Sequence, residues 1–126
     1  MTERVLLSIK PGFANDILDG KKRFEFRRLL FRRENVTRVV IYASTPEQRV
    51  IGEFKIGALL SLAPDDLWSK TRRFAGIDRE QFDSYFAGKV QAHAIKVSAP
   101  VRYRRPLDLF RDFGLCRPPQ SFCYVS

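Results

Sequence analysis

The tightest constraint on the fold comes from two dense β-type runs joined by a short polar break. Residues 36–44, VTRVVIYAS, are β-branched and apolar on both faces; Thr45-Pro46 and the polar run to Arg49 interrupt them, and VIGEFKIGALLSL at 50–62 resumes. A run that is apolar on both faces has to be covered on both, so these are adjacent strands inside a sheet joined by a turn. Gly52 and Gly57 predict a bend or bulge of the kind a small closed sheet needs at its corners.

The flanking segments must complete that sheet. RVLLSIK (4–10) reads as a buried strand stopped by Pro11, and PGFANDILDG as a short helix with Phe13/Ile17 and Ala14/Leu18 four apart and Gly20 past its end. From Lys21 to Arg27, alternation puts Phe24 and Phe26 on one face and Arg23, Glu25 and Arg27 on the other. DDLWSKTRRF reads as a helix with acids first and bases last, and Asp78 with Gln81 forms a capping box ahead of Phe82, Tyr85 and Phe86. VQAHAIKVSAPVRY (90–103) and SFCYV (121–125) read as strands, with one helical turn in the proline-bounded segment between them. The order β-α-β-β-β-α-α-β-β is neither a series of βαβ units nor all-β. It predicts an α+β fold, a small mixed or antiparallel β-barrel of five to six strands with about three short helices, in a single domain over 1–126.

Lys and Arg number 23 against 14 Asp and Glu, a net charge of +9, which suits a polyanionic partner and favours nucleic acid over acidic small molecules. The same excess would also arise in a domain whose charge only keeps it dispersed. Cys116, Cys123 and the single His93 cannot assemble a four-ligand zinc set, so neither a metal nor a cofactor is expected, and reduced thiols are the expected state. With no signal-like or membrane-length apolar run, a cytoplasmic protein without membrane contact is expected.

The stretch DGKKRFEFRR (19–28) crowds basic residues, two acids and two phenylalanines together. LLSIKPGFANDILDGKKRFEFR resembles the start of an ASCH domain, a branch of the PUA-like superfamily marked by G-x-K-x-x-E-x-R after a first strand and helix. Gly20, Lys22, Glu25 and Arg27 meet that pattern. The similarity continues through Tyr42, Ala43 and Ser44, the IGEF strand, a Trp-containing helix and RPPQSF. It implies a role in RNA metabolism or in transcriptional or translational regulation, and some relatives process nucleic acids. The overall pattern is most similar to the group associated with transcriptional regulation, in some of which a helix-turn-helix precedes this domain. None is read here, which leaves room for a protein partner carrying a DNA-binding unit.

Glu25 beside Arg27 on one strand face, about 6.6 Å along the strand, can orient the guanidinium and leave its other donors for a phosphate or a base edge. Lys22, in the preceding turn, would add a mobile point charge. The plainer alternative is an exposed ion pair worth less than about 1 kcal/mol. Arg27, Arg28, Arg32 and Arg33 around Phe31, and Arg102, Arg104 and Arg105 around Tyr103, are two basic clusters suited to phosphate contact and base stacking, although a solvated loop and strand end would look the same. Arg72 and Arg73 read as helix C-terminal charges outside the site. The family match implies that Ser44 and Ser121 line the pocket; Lys10 either lines it or reaches for water. Thr45 reads as a turn former, Tyr42 and Trp68 as core, and His93 as structural or surface.

One branch of the family consists of amidohydrolases acting on acetylated cytidine, with a threonine nucleophile where Glu25 stands; the lysine is kept as Lys22. A carboxylate can still act as a general base, and ribonuclease chemistry could use Lys22, Glu25 or Ser121. The sequence therefore favours a nucleic-acid-binding module, RNA ahead of DNA, with a nucleotide at Lys22, Glu25 and Arg27 and backbone phosphates on the arginines. The alternative is a small metal-independent hydrolase of RNA or a modified nucleoside. A third reading is a protein-interaction module.

Overall fold

The computed structural model describes residues 3–125. The strands are β1 (Glu3–Ile9), β2 (Phe24–Arg27), β3 (Val36–Ala43), β4 (Arg49–Leu62), β5 (Ala92–Leu107) and β6 (Phe122–Val125). They form one six-stranded sheet in the order β2-β5-β4-β3-β1-β6, with β1 and β3 parallel and every other pair antiparallel. The helices are α1 (Pro11–Leu18), α2 (Pro64–Thr71), α3 (Arg79–Tyr85) and α4 (Leu109–Phe113), with a 3-10 turn at Arg72–Phe74. The fold is thus the expected α+β class, with one helix more than expected.

β3 lies deep in the sheet, and Val39, Val40, Ile41 and Ala43 are fully buried, as a run that is apolar on both faces requires. One core joins β1, β3, the Ala14/Ile17 face of α1, Phe54 and Ile95; a second packs Phe24 and Phe26 against Leu67 of α2, Phe82 of α3 and Phe86 just past its end. β4 and β5 form a long ribbon whose register shifts at Val50/Gly52, Glu53/Lys55 and Ile56/Ala58. Such bulges bend the ribbon and let a six-stranded sheet curl. At Gly52 a Cβ would lie 2.6 Å from the Val101 carbonyl, so the bend depends on a missing side chain.

The ladder remains open between its edge strands β2 and β6, and side chains span the gap. Arg27 of β2 donates to the Ser121 carbonyl just ahead of β6 at 2.7 Å. The segment after β2 is pinned to β6 as well: the Arg32 and Arg33 amides donate to the Tyr124 hydroxyl, and Phe31 packs edge-on against Phe122.

Several boundaries differ from the expectation for local reasons. β2 begins at Phe24 rather than Lys21, because the Lys21 and Lys22 amides donate to the Asp16 carbonyl and finish α1. The helix expected to run through Phe74 tightens into the 3-10 turn. α3 starts on the full Asp78–Gln81 capping box. No helix among the described residues is long and apolar enough to cross a membrane.

Candidate functional site: a cleft over a buried Lys-Glu-Arg cluster

The end of β1, the start of α1, β2 and α3 enclose a cleft of about 460 Å³ floored by Lys22, Glu25, Phe26 and Arg27. That is space for one nucleotide-sized group. Glu25 reaches it from β2, an edge strand of the sheet. Phe24 and Phe26 face α2 and α3, while Glu25 points the other way and is still only 6% exposed.

Lys22 is the main correction to the sequence reading. It is fixed, not mobile: 1% exposed, its Nζ donates to the Ala75 carbonyl at 2.5 Å and stands 4.8 Å from the Phe26 ring and 5.2 Å from that of Phe13. Its stem lies against Gly76, where a Cβ would come within 2.8 Å of the Lys22 Cβ and Cδ. Burial lowers its pKa to about 8, against the pull of Glu25 and Asp16. Burial likewise raises the Glu25 carboxyl above its ordinary range, opposed by Arg27 and Lys22.

The Glu25–Arg27 pair is likewise not an exposed ion pair. Arg27 Nη1 lies 3.4 Å from Glu25 Oε2, with side-chain exposures of 12% and 8%. Arg27 Nη2 donates to the Ser121 carbonyl at 2.7 Å and approaches its Oγ at 3.4 Å. The guanidinium is held from two sides, and its Nε–H makes no hydrogen bond among the described residues. A lysine lowered and a carboxylate raised in proton affinity, beside a fixed guanidinium on the floor of a cleft, can hold an anion and move a proton.

Of the remaining candidates, Lys10 and Arg28 stand on the cleft rim, Arg28 lying 4.6 Å over the Tyr85 ring. Ser121 joins through Arg27. Ser44 lies one strand away, its amide bonded to the Ile9 carbonyl. Arg32 and Arg33 hold the loop to β6, and Arg33 also pairs with Glu3 at 2.7 Å. Phe31 is buried and cannot serve as a stacking platform.

The second expected cluster is partly consumed by structure. Arg102 bonds Asn15 and Asp19, and Tyr103 donates to Glu53, which also pairs with Arg4 and Arg38; Arg104 is exposed and apart from the cleft. Tyr42 is buried, Trp68 packs on Phe82, and the His93 Nδ1 lies 2.7 Å from Ser61 Oγ. Sequence reasoning missed Ser8, Gln81, Ser84 and Tyr85 on the cleft wall. No signal links the last three to a motif so far back along the chain; only packing of α3 over β2 does. Among the described residues no group of three or more His, Cys, Asp or Glu is arranged to hold a metal ion.

Comparison with known proteins places this geometry in a family. The ASCH domain model matches residues 7–101. The chain is 32% identical over 126 residues to an ASCH domain-containing ribonuclease of Zymomonas mobilis, covering 98% of this chain and 84% of that protein. It is 27% identical to the large ribosomal subunit protein uL22 of Ureaplasma parvum over 99% of this chain, which spans only 40% of that relative's length. The crystal structure of ASCH from Zymomonas mobilis superposes with a TM-score of 0.87 at 31% identity, covering 98% of this chain and 87% of that one. With its lysine, glutamate and arginine gathered on one cleft floor and the family model matched across most of its length, this chain belongs to the ASCH domain family.

Proposed function

We propose that this domain binds single-stranded RNA and cleaves it in the cleft. The observation that carries the reading is the pairing of Glu25, raised in proton affinity, with Lys22, lowered to about 8, beside a guanidinium fixed on two sides. A surface that only attracts phosphates has no need of an acid and a base so displaced. A relative named a ribonuclease, aligned over nearly all of this chain, supports the same reading.

In the proposed reaction, the Glu25 carboxylate accepts the proton of a ribose 2′-hydroxyl as its oxygen bonds to the adjacent phosphorus. The bond from phosphorus to the departing 5′-oxygen breaks, and the Lys22 ammonium gives that oxygen its proton. The products are a 2′,3′-cyclic phosphate and a 5′-hydroxyl. Arg27, with Lys10 and Arg28 at the rim, holds the charge on the phosphoryl oxygens. The active form has Glu25 ionised and Lys22 protonated, so activity falls above pH about 8 and falls again in acid above the ordinary carboxylate range.

A second reading, recognition without cleavage in a regulatory role, is favoured by the carbonyl bonds that already hold Lys22 and Arg27, since a rigid cradle suits a binding pocket. Incubation with mixed single-stranded and structured RNAs, followed by anisotropy and product mass, separates the two. Cleavage predicts a cyclic-phosphate product that Glu25→Gln abolishes while binding persists. Salt-sensitive binding with every RNA mass unchanged would overturn the cleavage reading.

A further inference from the structure

Lys21 and Arg23 flank the buried Lys22 and both point to solvent; Arg73 and Phe74, from the 3-10 turn, are exposed beside them. The two segments are joined by the Arg23 amide, which donates to the Phe74 carbonyl at 2.9 Å. The Arg23 guanidinium lies 4.2 Å and that of Arg73 5.7 Å from the centre of the Phe74 ring. Neither arginine has an acidic partner among the described residues. Phe74 is 37% exposed although two cations crowd it. Arg73 therefore does more than follow a helix end: it and Arg23 flank an accessible aromatic ring.

Two short stretches of chain join this surface to the cleft. On one, Lys21 and Arg23 alternate with Lys22 and lead to Glu25. On the other, Arg73 and Phe74 lead through Ala75, which accepts the Lys22 bond, and Gly76, which packs on the Lys22 stem, to Ile77 in the cleft wall. Each stretch is two or three residues, under about 10 Å of extended chain.

We infer that Lys21, Arg23, Arg73 and Phe74 form a second contact surface for the same nucleic-acid strand, taking the nucleotides next to the one in the cleft. The inference rests on the proposed function and makes the substrate an oligonucleotide, not a lone nucleotide. The chemistry is that of single-strand tracks: guanidinium and ammonium groups neutralise backbone phosphates, and an exposed ring accepts a base by stacking, with little dependence on sequence. Because no contact to a 2′-hydroxyl is required, the surface takes RNA and DNA alike, while the cleft sets the reaction.

The test uses labelled 2′-O-methyl oligonucleotides of two and eight nucleotides, which bind without being cut, titrated from low to physiological salt. Wild-type protein is expected to bind the octamer more tightly than the dinucleotide. Arg23→Ala with Arg73→Ala should remove most of that advantage and lower the slope of log affinity against log salt by about 1.4, that is about 0.7 for each phosphate no longer neutralised. Phe74→Ala should cost about tenfold on the octamer and leave the dinucleotide unchanged. Matched thermal melts exclude unfolding, since all three side chains are exposed. Octamer binding that ignores these substitutions but falls with Arg27→Ala would overturn the second surface and leave the cleft standing. Octamer binding that disappears without Arg23 and Arg73 but is indifferent to Arg27 would keep this surface and overturn the cleft. Absence of binding to either oligonucleotide would overturn both.

Discussion

Replacing Lys22 with methionine keeps an unbranched stem against Gly76 and the two phenylalanine rings and removes the ammonium. In the fold the Lys22 pKa falls from 10.5 to about 8, a difference of about 2.5 units, equivalent to about 3 kcal/mol at 1.36 kcal/mol per unit. The sign follows from proton binding. Between pH 8 and 10.5 the unfolded chain holds a proton on Lys22 that the folded chain has released, so native stability rises with pH across that window. At neutral pH the buried charge is a burden of the same size, and methionine relieves it. That relief is offset by leaving the Ala75 carbonyl without its donor, a loss of about 1–3 kcal/mol, and by taking a cation from beside Glu25. The Lys22→Met and wild-type proteins should therefore lie within about 2 kcal/mol of each other at pH 7. Between about pH 7.5 and pH 10.5 the gap should move by about 3 kcal/mol in favour of wild type. Urea unfolding followed by the fluorescence of Trp68, the one tryptophan of the chain, measures this at each pH. Tyr103, whose pKa is raised by burial and by its bond to Glu53, titrates in both proteins and cancels in the difference. Stability curves that run parallel across that range would refute the claim that Lys22 is charged and buried in the native state.

The remaining predictions concern its neighbours. Glu25 holds its proton more tightly folded than unfolded, so its contribution to stability is complete below the ordinary carboxylate pKa and is lost as pH rises through the raised value; urea titrations of Glu25→Gln should lack that fall. Gly76→Ala places a methyl group against Lys22 at a φ of +72° and should destabilise by about 1–3 kcal/mol, read as a lower melting temperature; Gly12→Ala, where nothing lies within 4 Å, serves as the control. Arg27→Ala leaves Glu25 buried beside one cation fewer and removes the bridge between β2 and Ser121, so it should cost about 3 kcal/mol, with hydrogen exchange rising first in β2 and β6.

Much of the scaffold is readable because local chemistry decides it. The capping box at Asp78, Gly20 beyond α1, and the glycines that bend the β4–β5 ribbon act over a few residues, and each appears where the spacing demands. The G-x-K-x-x-E-x-R spacing likewise groups Lys22, Glu25 and Arg27. What spacing could not state was their environment. Lys22 was expected to be mobile, yet the Ala75 carbonyl and Gly76, on a distant segment of the chain, enclose it. Arg33 and Tyr103 read from sequence as parts of basic clusters suited to phosphate and base, and in the fold they bond Glu3 and Glu53.

Side-chain periodicity and composition are enough to say which residues form strands and helices, which family pattern the chain carries and that positive charge is in excess, because each of these is a property of neighbouring residues or of a simple count. Which cations are spent on internal partners, which stay available, and how far burial displaces the proton affinities of Glu25 and Lys22 are settled by packing instead. Desolvation and ion pairing depend on distances across the fold, and those distances exist only once β2, α3 and the 3-10 turn have packed together.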